Sequence, residues 1–375
     1  MHYLDNSATT PLCQEAITAM TKSMACFGNP SSLHLLGAEA LSALDSARQR
    51  VASYMGCEAK ELYFTSGGSE ANNTALFGAA RAMKRRGKRI ITTAIEHHSV
   101  LNAAKALEGE GFEVIYLNPN SEGVITAKAV ADALTDDTIL VSVMYVNNET
   151  GAIMPISEIA AAIKASGCGA LFHTDCVQAF GKLPFNLRSL GADLVSVSGH
   201  KIHGPKGVGA LYVKSGCRIL PFIYGGGQEK GMRSGTEPTI LIEGFSAAVS
   251  ALPELKGELN RVGKLRDDCV ARLKNLKGVT VNSGENSLPY IINISVAGIR
   301  SEVMLHWLEA KEIYVSSGSA CAKGESSHVL AAQGIARQSA DSAVRISMSH
   351  FTKEEDIDAL VDAMGQGIDK LVRRR

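Results

Sequence analysis

Short apolar runs alternate with amphipathic stretches along most of this chain. Strand-like runs fall at Glu61–Ser66, Arg89–Ile95, Phe112–Leu117, Thr138–Val146, Ala170–Thr174, Asp193–Ser198 and Val208–Val213. Between several of them, 69–86, 100–110 and 156–165 read as helices, and 38–55 does so earlier through Leu41, Leu44, Val51 and Met55. This alternation predicts an α/β fold with a mostly parallel sheet covered on both faces. Around 244–276 the pattern changes to one long helical segment rich in Leu, Glu, Lys and Arg. Strand candidates at Tyr290–Val296 and Ala343–Met348 follow, with helices near 302–311 and 354–372, predicting a smaller α+β C-terminal domain. The first dozen residues, closed by Pro11, read as extended and able to rejoin it. The expected boundaries are 15–256 for the large domain and 1–14 plus 257–375 for the small one.

Composition narrows the function classes. Lys plus Arg is 38 and Asp plus Glu is 38, so no net field recruits nucleic acid or an anionic membrane. No apolar stretch reaches the ~18 residues of a membrane helix, and Met1–Asp5 lacks signal-peptide features, so a cytoplasmic protein is expected. The eight cysteines are scattered without a Cys-x-x-Cys pair, which argues against a zinc site or a disulfide framework; no metal is expected. Seven of them read as small buried hydrophobes.

The candidate chemistry sits where apolar runs break. Val195–Ser198 leads into Gly199-His200-Lys201, a glycine-bounded turn that can present an amine to a cleft. Desolvation there would free Lys201 to form a Schiff base with an aldehyde; a surface lysine is the alternative. Ser66-Gly67-Gly68-Ser69 joins a strand to a helix start, suited to a phosphate or simply to a serine-capped turn. Asp175 ends a buried strand, where an acid can bind a protonated pyridine nitrogen or cap a helix, and Gln178 follows within reach of a ring oxygen. His97, in Glu96-His97-His98-Ser99, can stack on an aromatic ring and exchange protons, or serve as a loop residue. Together, 67–69, 97, 175 and 201 place a phosphate cradle, an imidazole, an acid and an amine at strand ends, which points to pyridoxal 5′-phosphate.

This set resembles the fold-type I pyridoxal-phosphate enzymes of the class V aminotransferase superfamily, most closely the cysteine desulfurases of the NifS/IscS group. Further matching blocks are Tyr3–Thr10, Gly28–Ser32, Val146–Gly151, Arg233-Ser234-Gly235-Thr236 and Ser316–Cys321. The resemblance implies that Lys201 carries the cofactor, Asp175 and Gln178 hold its ring nitrogen and phenolic oxygen, and His97 stacks on it. Gly68, Ser69, Ser198 and His200 would cradle the phosphate, joined by Thr236 from the partner of a homodimer. Asn148 and Arg345 would fix the substrate carboxylate, a task suited to the guanidinium fork.

Cys321 decides the reaction. Its small-residue neighbours give no packing bulk, so a mobile loop with an exposed thiol is expected. The implied chemistry is sulfur mobilisation by a transferase: Lys201 moves the α-proton of L-cysteine, His97 handles the thiol proton, and Cys321 becomes a persulfide as alanine leaves. The acceptor would be an iron–sulfur cluster assembly scaffold, a tRNA thiolation enzyme or another carrier. After Cys321 the stretch Ala322–His328 is shorter than the Ser/Thr-rich one of the familiar enzymes, and Cys176 stands where alanine is usual. A selenocysteine lyase would use nearly the same site; a class V aminotransferase would not need Cys321, and a non-catalytic scaffold would not need Lys201.

Overall fold

The computed structural model describes residues 1–317 and 327–372. β1 (His2–Tyr3) opens the chain, and seven strands then build the main sheet: β2 (Leu62–Thr65), β3 (Arg89–Thr93), β4 (Glu113–Leu117), β5 (Thr138–Ser142), β6 (Leu171–Asp175), β7 (Leu194–Ser198) and β8 (Gly209–Val213). Their order is β2-β8-β7-β6-β5-β3-β4, and β8 alone runs against its neighbours. The link from β7 to β8 is too short for a crossover helix, so the chain folds straight back. The rest is parallel, as the alternation predicts.

β5 and β7 are buried at every position because elements pack on both faces of the sheet. Successive residues serve opposite cores: Leu140 and Leu194 face one, with Leu76 and Leu107, while Val141 and Val195 face the other, with Phe180 and Phe245. The ends of β2, β3, β5, β6 and β7 therefore release the chain at one rim of the sheet.

β9 (Val279–Val281), β10 (Ile291–Val296), β11 (Ile313–Tyr314) and β12 (Ala343–Ser347) complete the strands. The antiparallel order is β12-β10-β9, and β1 pairs in parallel with β11 while Asp5 bridges Ser347. The extended N-terminus thus joins the C-terminal strands, as expected. The single helix expected over 244–276 is instead two, Thr239–Ser250 and Leu255–Lys274. Pro253 lies in the break, where it removes an N–H and disfavours helix at the residue before it. Glu254 then restarts the helix, its carboxylate accepting from the N–H groups of Lys256 and Gly257. The cysteine expectation also needs correcting: all seven described cysteines are free thiols, but only Cys13, Cys168, Cys176 and Cys269 are buried. Among the described residues, no helix is long and apolar enough to cross a membrane.

One buried ion pair ties the early helix to a distant loop. Arg48, on helix Leu35–Met55, meets Glu229 through two hydrogen bonds of 2.7 Å each. Glu229 also accepts from the backbone N–H of Phe64, and Arg48 donates to the carbonyl of Leu62, so β2 is gripped by the same pair. Removing one partner leaves a buried charge. Arg48→Met is expected to cost ~3–5 kcal/mol in urea unfolding, and the double variant Arg48→Met/Glu229→Leu to cost less than that single change. A double variant at least as unstable as Arg48→Met would contradict this.

Candidate active site

The shared rim of the sheet opens on a cleft of about 510 Å³, closed on its other side by the N-terminal strand segment and by Arg345 of β12. Lys201 ends a short helical turn after β7. Its Nζ donates to the backbone carbonyls of Ser7 at 2.5 Å and Ala8 at 2.6 Å. Asp175 closes β6, and its carboxylate accepts from the Asn72 amide at 2.7 Å and the Val177 N–H at 2.9 Å.

His97 caps helix His98–Gly109. Its Nδ1 accepts from the Ser99 N–H, so the neutral ring carries its hydrogen on Nε2. Burial holds its pKa below the usual range, against the pull of Asp175. Burial, with the charges of Lys201, Lys206 and Lys182 adding, pushes His200 down to about 4. Both rings are therefore uncharged at neutral pH. Arg345 lies almost wholly buried, donating to Asp5 at 2.8 Å and to the carbonyl of Asn148 at 3.1 Å.

The remaining expected residues can be placed just as plainly. Gly68, Ser69, Asn148, Gln178 and Ser198 all line this cleft. Thr236 does not; it is exposed on the chain's surface. Cys321, with 318–326 as a whole, lies outside the described residues.

The lining fits pyridoxal 5′-phosphate. Gly67, at φ 148°, starts helix Gly68–Met83, whose first N–H groups have no partner within the helix. Two backbone positions at the turn are packed too closely for a side chain: a Cβ on Gly68 would meet Val177 at 2.7 Å, and one on Gly209 of β8 would meet Gly67 at 2.8 Å. Beside it the Ser198 hydroxyl is buried with no partner, as are Ser7 Oγ, Asn72 Oδ1 and the Arg345 Nε elsewhere in the lining. Buried polar atoms left unpaired at one cleft signal a polar ligand. The carboxylate of Asp175 and the amine of Lys201 suit a pyridine nitrogen and an aldehyde.

Several cleft residues were not among those expected. Asn72, which holds Asp175, is a polar residue on an otherwise apolar helix face between Ala71 and Ala75, and that was its signal. Glu149 lines the cleft with its carboxyl pushed up to about 7 by burial, and Ser327 donates to it at 2.5 Å. Glu96 is fully buried behind His97, accepting from Thr93 Oγ1 and the Met144 N–H. His328 packs its ring 4.9 Å from that of His98 and bonds the Glu96 carbonyl. His173, by contrast, is a core histidine held between Ser142 and Ser196.

Residues 2–360 match the family model described as aminotransferase class-V. The chain is 42% identical over 375 residues to a protein of Dictyoglomus turgidum named cysteine desulfurase IscS, covering 98% of this chain and 95% of that one. A solved structure titled NifS-like protein superposes with a TM-score of 0.92 at 37% identity, over 99% of both chains. Another, titled SspA in complex with cysteine, gives 0.84 at 34% identity over 94% of this chain and 100% of that chain.

Glu96 makes the site's pH dependence of stability testable. Burial, with the charge of Asp175 adding, raises its carboxyl from 4.5 to about 8. The folded chain therefore holds a proton there that the unfolded chain has lost, and stability falls as pH rises from about 4.5 to about 8. Relative to Glu96→Gln, the native protein should lose up to ~1.4 kcal/mol per pH unit inside that window and nothing below it. Urea unfolding of both proteins at pH 5 and 7.5 checks this; parallel curves would refute it.

Proposed function

The chain belongs to the class-V aminotransferase family, and on that footing we propose that it is a cysteine desulfurase, converting L-cysteine to L-alanine and passing the sulfur through a Cys321 persulfide to an acceptor protein. Its cofactor is pyridoxal 5′-phosphate, as in the family's other members. When bound, it supplies an electron sink for the charge left at the substrate α-carbon.

One observation carries the reading: the amine of Lys201 and the fork of Arg345 meet in one cleft, both bonded to the segment 5–8. Arg345, with Asn148, binds the substrate carboxylate and so fixes the α-carbon. Lys201 Nζ takes the α-proton. Asp175 binds the ring nitrogen, Gln178 the phenolic oxygen, and His97 stacks, with its neutral ring handling the proton of the substrate thiol. Gly68, Ser69, Ser198 and His200 hold the phosphate. The Cys321 thiolate attacks the substrate sulfur; an S–S bond forms as the C–S bond breaks, and the electron pair stays on carbon, which is protonated to the methyl group of alanine.

The same proposal includes a large domain, 15–256, and a small one, 1–14 plus 257–375; the pairing of β1 with β11 supports the split. It includes a homodimer in which Thr236 reaches the partner's phosphate site. Exposed Leu12, Ile17, Phe27, Leu33 and Leu35 supply an apolar surface for that contact. It includes cytoplasmic location, in keeping with the seven free thiols among the described residues, and an acceptor in iron–sulfur assembly or tRNA thiolation.

The purified protein given L-cysteine should release alanine and, with a thiol reductant, sulfide. Intact-mass spectra should show one extra sulfur, located on Cys321. Cys321→Ser should lose persulfide and alanine yet keep the yellow colour of the holoenzyme; Lys201→Ala should lose alanine formation by at least ~10³-fold. Amino-group exchange with a keto acid, without sulfide, would instead make it an aminotransferase. Preference for selenocysteine in competition would make it a selenocysteine lyase.

A further inference from the structure

Behind the cleft wall lies a charge that this reaction does not use. Lys182 is 6% exposed, and among the described residues no carboxylate lies within ion-pair distance of it. Burial, with the charges of Lys201 and Arg345 adding, pushes its ammonium down to about 7. A buried cation without a counterion destabilises a fold, so its place there calls for a reason. Its hydrogen bond goes to a neutral amide: Nζ donates to Gln178 Oε1 at 3.1 Å. The turn after β6 builds this pair. Phe180 N–H bonds the Cys176 carbonyl and Leu183 N–H bonds that of Ala179, a helical winding that sets residues four apart on one side.

We propose that Lys182 is a positioning residue for Gln178, occupying the amide oxygen so that both amide hydrogens are presented on the cleft side. One of them goes to the Ser7 carbonyl at 3.0 Å, the oxygen that also accepts from Lys201 Nζ. The other is directed to an acceptor in the cleft. This step rests on the reading above, in which that acceptor is the phenolic oxygen of the cofactor. A glutamine amide can turn over and present its oxygen instead, which would repel a phenolate. While protonated, Lys182 disfavours that alternative, because an ammonium donates only. It thereby links three elements: the turn after β6, the N-terminal segment and the lysine turn after β7.

The test reads the colour of the holoenzyme. Its visible absorption band changes with pH, and the midpoint reports the charge balance between the amine linkage and the phenolic oxygen. Gln178→Leu and Lys182→Met should each raise that midpoint by about one unit, a tenfold gain in proton affinity. The double variant should match Gln178→Leu alone, because Lys182 acts through Gln178. Additive shifts would make Lys182 a through-space charge and overturn the proposal, as would an unmoved midpoint in Lys182→Met while Gln178→Leu shifts. If Lys182→Met does not fold, Lys182→Leu carries the same two expectations. A native protein that takes up no pyridoxal phosphate, or a Gln178→Leu variant with an unmoved midpoint, would instead overturn the reading of the site itself.

Discussion

The parallel pairing of the main sheet is the constraint from which the cleft follows. Strands that run the same way end on the same side, so β2, β3, β5, β6 and β7 deliver Gly67, His97, Asn148, Asp175 and Lys201 to one rim although these lie far apart in the chain. Each strand is buried on both faces and cannot slip by one residue without exchanging its two cores. Alignment at the rim is therefore set by apolar packing well below it, and the polar groups inherit their positions.

The N-terminal segment turns that rim into an enclosed site. Asp5 holds Arg345, Ser7 and Ala8 hold Lys201 through their carbonyls, and Thr10 bonds the carbonyl of His200. The segment is itself anchored to β12, where Asn6 donates to the Ser347 carbonyl and the Ser7 N–H to the Ser347 hydroxyl. The guanidinium of Arg345 and the amine of Lys201 are thus tied through one short stretch of backbone. Backbone carbonyls cannot swing aside as side chains do, so the distance between the amine and the guanidinium is fixed before any ligand arrives.

Much of this was readable along the chain. Asp175 ends a buried strand and Lys201 follows one on a glycine-bounded turn, and both positions are visible without coordinates. The strands of the main sheet fall within a few residues of the apolar runs for the same reason. What could not be read depended on partners remote in sequence. A carbonyl such as that of Ser7 leaves no mark in residue type. Lys182 looks like any loop lysine until the fold buries it against Gln178, and Glu149 and Glu96 look like surface acids. The division of the long helix was written in Pro253, but the strong amphipathic pattern on both sides masked it.

Cys176 shows how a thiol-rich chain avoids delivering sulfur to the wrong place. It sits next to Asp175 in sequence, yet it does not line the cleft: it is wholly enclosed, and burial raises its thiol well above the ordinary range. A thiol that stays protonated is a far weaker nucleophile than its thiolate. Cys269, equally enclosed, is pushed up to about 12. Burial thus acts as insulation: Cys176 and Cys269 stay protonated and do not compete for reactive sulfur.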